Sequence, residues 1–224
     1  MSAKAFILTL ALVSSGLCAG ATGPNAVRDG WRHTWSLFGV DPAIAESVIW
    51  PEMQLYSGIR DAAEATADYG SYVSGVGSFD FSIGIFQMKP SFVEKLEKAW
   101  TGSSLAGVYG LSFDTSDTSS ARHSRLARMG VAEWQVIYLA LFLRLLYSCY
   151  GIGELPVEDQ VRLSATAYNR GCEWTEPGCG SIEALRKYSD VVSFPRVIIR
   201  TPGTRQYCYA TLAWEHYRSI TSNL

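Results

Sequence analysis

The sequence lacks a concentration of charge of either sign. Its 224 residues include 19 Lys and Arg against 21 Asp and Glu, which gives a formal net charge of -2. No block of like charges occurs along the chain. Because nucleic-acid binding depends on a basic face that neutralises phosphates, the composition argues against nucleic acid as the main partner. With 48% apolar and 18% charged residues, the chain is expected to fold around one sizeable core.

Long apolar runs are also scarce. Residues 131–147 are apolar on nearly every face, but Glu133, Gln135 and Arg144 confine the uninterrupted apolar part to residues 136–143. A membrane span needs about 20 apolar residues, so this segment does not predict one. A helix that is apolar all round is expected at the centre of the core.

The first residues predict a leader peptide. Lys4 precedes the apolar run AFILTLALVSSGL, and Ala19-Gly20-Ala21 offers the small residues that an export peptidase recognises. An alternative is a lipid anchor at Cys18, although Leu17 stands where a small residue is expected before such a cysteine. We expect residues 1–21 to be removed, residues 22–224 to form one domain, and the protein to be exported to the periplasm or cell wall.

Cysteine is sparse, and no Cys-x-x-Cys pair or histidine cluster occurs. The sequence therefore predicts neither a metal site nor a cofactor. Removing the leader leaves Cys149, Cys172, Cys179 and Cys208, an even number that suggests two disulfides with three possible connectivities. The loop between Cys172 and Cys179 contains Pro and Gly and can close on itself. That closure would leave Cys149 to pair with Cys208.

Local signals predict a mainly α fold. Asp41 followed by Pro42 marks the start of a helix over residues 41–50, which Pro51 is expected to end or perturb. Residues 53–75 are helix-like as far as about Tyr69. Further helices are predicted over the ranges 24–40, 131–147 and 157–171, and at the C-terminal end of the chain.

Three further predictions concern the segments between these helices. Ser91 and Glu94 form a capping-box pattern for a helix over residues 91–100. Residues 101–124, rich in Ser, Thr, Gly and Asp, are interpreted as a mobile surface loop. A small sheet is predicted near residues 72–87.

Glu52 is the first candidate for chemistry. It follows Trp50 and Pro51 at the end of an apolar helix, and Met53 comes next. A carboxyl group in apolar surroundings has a raised pKa, so it can remain protonated and donate a proton to a leaving oxygen. Glu52 is therefore interpreted as a general acid.

The segment DFSIGIFQMKPSF, residues 80–92, is the second candidate. Ser82, Gly84 and Gln87 interrupt an otherwise apolar run. Glycine allows close approach of the backbone to a ligand, and glutamine supplies both a donor and an acceptor. The rings of Phe81, Phe86 and Phe92, which flank these residues, are interpreted as apolar faces for sugar rings.

The order of the motifs along the chain resembles the lytic transglycosylases. A Glu at a helix end is followed by Ser82-x-Gly84-x-x-Gln87-Met88, then by SATAYNRG with Tyr168 and Asn169, and then by Thr-Arg-x-Tyr. The series covers roughly residues 41–217. This resemblance implies a single lysozyme-like domain that is mainly α, with a small β element near the cleft.

The resemblance also implies an activity. In that family a single Glu cleaves peptidoglycan between N-acetylmuramic acid and N-acetylglucosamine and leaves a 1,6-anhydro product. Carried over by position, Glu52 is the acid and base, Ser82, Gly84 and Gln87 form the cleft wall, and Tyr168 and Asn169 face them, with Tyr168 bonded to the carboxyl group. The expected partner is the peptidoglycan glycan strand.

The alternatives rest on departures from the family pattern. Met53 follows the Glu where the family usually has Ser, and Gln87 lies 35 positions after Glu52 (87 − 52). Glu64 is 23 positions before Gln87 (87 − 64), nearer the usual gap, and is the rival acid. The alternative functions are a hydrolase of the lysozyme or chitinase kind and an inactive cell-wall-binding protein of the same fold.

Overall fold

The structure is a computed structural model that describes residues 24–54, 70–75, 81–172, 181–195 and 205–222. Glu64, Asp80 and Cys179 lie outside these ranges. The described chain is mainly α. The helices run Pro24–Leu37 (α1), Pro42–Met53 (α2), Pro90–Thr101 (α3), Ser104–Tyr109 (α4), Ser119–Met129 (α5), Ala132–Tyr150 (α6), Val157–Arg170 (α7), Ile182–Ser189 (α8) and Tyr209–Thr221 (α9).

The start of α2 is as predicted, but its end is not. The Asp41 carboxylate accepts hydrogen bonds from the backbone N–H groups of Ala43 and Ile44, and Pro42 occupies the first helical position. Pro51 lies within the helix, which continues to Met53. Proline removes one backbone donor without blocking the turn that follows it, so Glu52 lies in the last turn of α2.

Two predictions about residues 91–124 are wrong. Helix α3 begins at Pro90 after Lys89, with no side-chain cap, so Ser91 and Glu94 do not form a capping box. Residues 101–124 contain α4 and the first half of α5. Thr118 caps α5 by accepting from the N–H of Ala121, a local start signal of the usual kind.

Helix α6 forms the centre of the core, as predicted. Every residue from Gln135 to Leu143 is buried. The indole N–H of Trp35 in α1 donates to the Val136 carbonyl at 3.1 Å, which ties α1 to α6. Among the described residues no single helix is long and apolar enough to span a membrane; α5 and α6 meet the requirements of length and composition only together, with a bend of 102° between them.

A buried ion cluster joins α3, α5 and α6. Glu97 on α3 is fully buried and accepts hydrogen bonds from Arg125, Arg128 and the Tyr138 hydroxyl. Because an unpaired buried carboxylate is costly, these partners fix the three helices relative to one another. Helices α2, α7 and α9 pack against one another, and the small residues Ser164–Ala167 of α7 are buried.

The small sheet lies elsewhere than predicted. Strands β1 (Val192–Pro195) and β2 (Gln206–Cys208) are antiparallel, and Phe194 is opposite Tyr207. In the predicted region, residues 70–74 are helical and the only pairing described is an isolated bridge between Ile83 and Met88. The β2 strand leads directly into α9, so Tyr207 lies two residues before that helix begins.

The predicted disulfide between Cys149 and Cys208 is not formed. Among the described residues, Cys149, Cys172 and Cys208 form no disulfide bond. The Cys208 thiol donates to the Ser189 carbonyl at 2.8 Å. Cys172 has a pKa raised to about 12 by burial and by its neighbour Cys149. The neighbour of Cys149 is therefore Cys172.

Candidate functional site

The segment around Gln87 is a tight hairpin. Ile83 and Met88 exchange both backbone hydrogen bonds, at 2.8 and 3.2 Å, and residues 84–87 form the turn. Gly84 has φ +71° and Gln87 has φ +52°. A positive φ is rare for a residue other than glycine, and such strain is retained where the surrounding structure holds it. We call residues 81–88 the wall hairpin.

The Gln135 side chain of α6 is hydrogen-bonded to the backbone of the wall hairpin. Its side-chain oxygen accepts from the Phe86 N–H at 2.9 Å, and its amide nitrogen donates to the carbonyls of Ile83 and Met129. A Cβ atom at Gly84 would lie 1.6 Å from that nitrogen. Gly84 is thus explained by the packing of Gln135 rather than by the approach of a ligand. The sequence marked Gln135 only as a break in an apolar helix.

Ser82 and Gln87 lie on the partly exposed side of the wall hairpin. The Gln87 amide nitrogen donates to the Gly84 carbonyl at 2.8 Å, so one of its two N–H groups stabilises the turn. Phe81 and Phe86 are buried, and the Phe86 ring packs edge-on against Trp31 at 5.4 Å. Neither ring offers an open face for a sugar, contrary to the prediction.

Tyr168 of α7 connects that helix to the wall hairpin. Its hydroxyl donates to the Phe86 carbonyl at 2.6 Å, and its ring packs edge-on against Phe92 and Phe142. A tyrosine hydroxyl has one hydrogen to donate. That hydrogen is donated to the Phe86 carbonyl, so Tyr168 does not donate a hydrogen bond to Glu52. This is contrary to what the resemblance implied. Asn169, the next residue, is partly exposed.

The Glu52 carboxylate lies near Tyr168. Burial raises the pKa of Tyr168 well above its ordinary value, and the charge of Glu52 raises it further. The same two causes raise the pKa of Tyr209, whose hydroxyl donates to the Val48 carbonyl at 2.9 Å. Tyr209 is a site residue that the sequence did not reveal, because only the packing of α9 against α2 brings it there.

Glu52, Tyr168 and Tyr209 therefore form one group, which Tyr168 joins to the wall hairpin. Glu52 is only partly buried and lies in the last turn of its helix, where the negative end of the helix dipole disfavours an anion. Both tyrosine hydrogens are donated to backbone carbonyls. Glu52 is thus a partly exposed acidic residue to which neither tyrosine donates a hydrogen bond.

A second acidic residue on α2, Glu46, differs from Glu52 because it is buried and is bonded to cationic side chains. Glu46 is buried, yet its pKa is lowered to about 2, because hydrogen bonds from His216 and Arg32 and the charges of Arg32 and Arg28 outweigh the effect of burial. Arg32 donates twice to Glu46, at 2.8 and 3.0 Å. A carboxyl group with this pKa carries no proton at neutral pH, so Glu46 is excluded as a general acid.

Among the described residues, no group of three His, Cys, Asp or Glu side chains is placed to hold a metal ion. No protein-family model, curated protein or solved structure matches the chain. The fold and the site thus define a mainly α protein in which one partly exposed acidic residue, Glu52, lies near a partly buried tyrosine, Tyr168, and a buried one, Tyr209. One of these tyrosines is bonded to the strained wall hairpin.

Proposed function

We propose that the protein is a peptidoglycan lytic transglycosylase that uses Glu52 as its acid and base. The grouping of Glu52, Tyr168 and the wall hairpin supports this proposal, because residues from three motifs that are far apart in the sequence come together in the fold. The lysozyme-like fold is part of the same proposal, as are export and the peptidoglycan glycan strand as partner.

The proposed reaction needs one carboxyl group. Protonated Glu52 donates its proton to the oxygen between N-acetylmuramic acid and N-acetylglucosamine, and the glycosidic bond breaks. The carboxylate then accepts the proton of the muramoyl 6-hydroxyl as that oxygen bonds to the anomeric carbon. The products are a 1,6-anhydromuramoyl end and a free 4-hydroxyl group, so no water and no second carboxylate take part, unlike the usual two-carboxylate scheme.

The neighbouring residues position the substrate in this scheme. Ser82 and the free N–H and side-chain oxygen of Gln87 face the sugar from the wall hairpin, and Asn169 faces it from α7. Tyr168 acts through the Phe86 carbonyl, which keeps the wall at a fixed distance from Glu52. Gly84 serves the wall by leaving room for Gln135.

The test is Glu52→Gln with purified cell-wall sacculi as substrate. We expect release of soluble muropeptides to fall by roughly 100-fold or more, the usual contribution of a general acid. The melting temperature should hold or rise, since a partly buried carboxyl group has been removed. Glu158→Gln, at an exposed position of α7, is the matched control and should retain full activity.

Product analysis decides between the proposal and its alternatives. Mass spectra of the released muropeptides should show anhydromuramoyl ends, 18 Da lighter than reducing ends. Reducing ends alone would assign the protein to the hydrolases. Absence of turnover by the unmodified protein, with binding to sacculi retained, would leave a cell-wall-binding protein of this fold. Full activity of Glu52→Gln would exclude Glu52 as the general acid, and Glu64 would then be the residue to replace.

A further inference from the structure

A pocket between α2 and α9 has no part in the proposed reaction. It has a volume of about 230 Å³, and its lining includes Trp50, Pro51, Gln54, Leu212, Glu215 and His216. Trp50 and Gln54 are one helical turn apart and share a face at the end of α2. Glu52, midway between them in the sequence, points to nearly the opposite face. The pocket and the Glu52 group are therefore separate sites.

A buried group with a net positive charge lies behind the wall of the pocket. The Glu46 carboxylate pairs with Arg32 at 2.8 Å and with Arg28 at 3.9 Å. Two guanidinium groups therefore face one carboxylate, which leaves one positive charge. His216 lies between this group and the pocket, with its Nε2 atom 3.5 Å from the same carboxylate, and adds no charge while its ring is neutral. A cation that entered the pocket would be repelled from this side.

The rim of the pocket carries the opposite charge. Glu215 is exposed at the rim and contributes one negative charge, so an anion would be repelled from the solvent side. The exposed charged residues nearest to these groups along α1 and α9 are Asp29 and Arg218, whose opposite signs leave the sum unchanged. The surroundings of the pocket are thus neutral overall, with a positive inner side and a negative rim. This arrangement favours a ligand that is uncharged and dipolar.

Trp50 supplies a hydrogen-bond donor to the wall of the pocket. Its indole N–H has no acceptor among the described residues, and it is not one of the buried atoms that lack a partner, so solvent reaches it. The His216 ring stacks on the indole in parallel, with the centroids 3.9 Å apart, and the Arg28 guanidinium lies 5.6 Å from the indole centroid. These contacts hold the donor beside the positive side of the pocket.

We propose that this pocket binds an acetamido group carried by an uncharged sugar. An amide has a donor, an acceptor and a dipole of about 3.5 D. Its carbonyl accepts from the Trp50 indole on the positive side, and its N–H donates to Glu215 at the rim. Its methyl group packs against Leu212 and Pro51, which are both buried. The amide dipole then lies along the field between the buried positive group and the rim.

The size of the pocket and its rim indicate what carries the amide. A cavity of about 150 Å³ holds a benzene molecule, so 230 Å³ holds the acetamido group and part of a sugar ring. The rest of the ring lies at the rim, where the exposed side chains of Gln54 and Glu215 match its hydroxyl groups. A peptide amide brings no such hydroxyl groups, so a sugar is the better match. The site does not depend on glycan cleavage.

The test compares two probes that differ only in the acetamido group, methyl N-acetyl-β-D-glucosaminide and methyl β-D-glucoside, by NMR titration of the purified protein. The titration is done at pH 8, where an ordinary imidazole is neutral. The indole N–H signals of tryptophan and the backbone N–H signals of α9 report the site, and Trp50→Phe identifies the Trp50 signal. We expect the acetamido sugar to bind with a dissociation constant on the order of 5 mM, and the glucoside to bind about fivefold more weakly.

Two variants and a control make the result specific to the pocket. Trp50→Phe removes the indole N–H and keeps an aromatic ring against His216, so it should reduce the affinity for the acetamido sugar to that for the glucoside. Glu215→Gln should weaken the acetamido sugar about threefold, because a neutral acceptor replaces a charged one. Glu183→Gln, an exposed acid on α8, should change neither affinity.

The opposite outcomes would overturn the proposal. Equal binding of the two sugars, or an unchanged affinity in Trp50→Phe or Glu215→Gln, would show that the acetamido group is not recognised here. Tighter binding of acetate or of methylammonium would mean that one sign of charge prevails in the pocket. Equal binding of N-acetylalanine methylamide would assign the site to peptides.

A further variant separates this proposal from the proposed function. Glu52→Gln should keep the shift of the Trp50 signal by the acetamido sugar, and loss of that shift would place the sugar at the Glu52 group instead. Because these titrations measure binding and not turnover, a failure of glycan cleavage leaves this site intact. A failure of acetamido binding likewise leaves the proposed function untouched.

Discussion

At the scale of single residues, adding one methyl group at Gly84 is expected to lower the free energy of unfolding substantially. Ala at this site would keep the positive φ and would place its Cβ 1.6 Å from the Gln135 amide. Gln135 would have to move, and its hydrogen bonds to Phe86, Ile83 and Met129 would weaken or break. We expect Gly84→Ala to lower the free energy of unfolding by about 2–4 kcal/mol, measured by urea denaturation.

Gly107→Ala is the matched control for that substitution. Gly107 lies within α4, and a Cβ there would meet nothing within 4 Å. Alanine favours the helix over glycine by about 1 kcal/mol, so this variant should be neutral or slightly more stable. Equal stability of Gly84→Ala and the parent protein would show that Gln135 does not hold the wall hairpin in solution.

Glu46 gives a prediction about pH at the same scale. Its pKa is about 2 against an ordinary 4.5, and a difference of 2.5 (4.5 − 2) corresponds to about 3 kcal/mol at most. Because Arg28 and Arg32 are 40% and 41% exposed, solvent screening reduces this to roughly 2 kcal/mol. A lowered pKa in the folded state stabilises above pH 4.5, and this contribution is lost as the pH falls toward 2.

Glu46→Gln should therefore be less stable than the parent protein at pH 7, and the difference should shrink below pH 4.5. Thermal unfolding across pH 2–7 measures this. For Asp29→Asn, at an exposed position of the neighbouring helix α1, the difference in stability from the parent protein should not shrink in this way. A constant difference across the range would mean that the Glu46 charge is not what stabilises the cluster.

At the residue level, the sequence could nominate only candidates that carry a local signal. Glu52 was selected from its apolar helix and Tyr168 from a helix-end motif. Gln135, Glu46 and Tyr209 were missed, because their importance comes from partners that lie far away in the chain, such as Phe86 for Gln135 and Arg32 for Glu46. No local pattern marks a polar residue whose partners are brought to it by folding.

At the scale of elements, the helices with a strong local signal were predicted well. Asp41 and Pro42 fixed the start of α2, and the apolar run predicted α6 as the central helix. Helix α5 was missed because residues 101–124, rich in Ser, Thr, Gly and Asp, were interpreted as one loop, although Thr118 caps the helix and its sequence, SSARHSRLARM, is rich in helix formers. Arg125 and Arg128, which bind the buried Glu97 of α3, add tertiary support.

The placement of the sheet failed for a related reason. Residues 80–92 have the apolar character of a strand, but the positive φ at Gly84 and Gln87 turns the chain back after two paired residues. The strands that do form, β1 and β2, are short, and β2 is followed directly by α9. Nothing in their local sequence distinguishes them from a loop, since pairing partners decide short strands.

At the scale of the whole molecule, the cysteines predict a cross-link between distant elements. Cys149 lies near the end of α6 and Cys172 just after α7, and burial together with the neighbouring Cys149 raises the pKa of Cys172 to about 12. A thiol with this pKa is a poor nucleophile, so we expect the bond to form during oxidative folding rather than in the folded protein. A loop of 23 residues (172 − 149) would stabilise by about 3 kcal/mol.

Peptide mapping by mass spectrometry without reduction tests this pairing. After folding in a glutathione redox buffer, the peptides that contain Cys149 and Cys172 should be joined, and Cys208→Ser should leave that cross-link intact. A Cys149–Cys208 peptide would contradict the arrangement of α6, α7 and β2 described above. The other suggested pairing, Cys172 with Cys179, involves a residue outside the described ranges and stays a prediction that the same peptide map tests.

The hydrogen bonds of Phe86 have a consequence for motion. Its N–H is bonded to a side chain of α6 and its carbonyl to a side chain of α7, so the two flanks of one peptide segment are anchored to separate helices of the core. The hairpin cannot swing on a hinge of its own without breaking both anchors. The hairpin is therefore expected to keep its position relative to α6 and α7, so in the proposed function it is the glycan strand that would have to adapt its conformation.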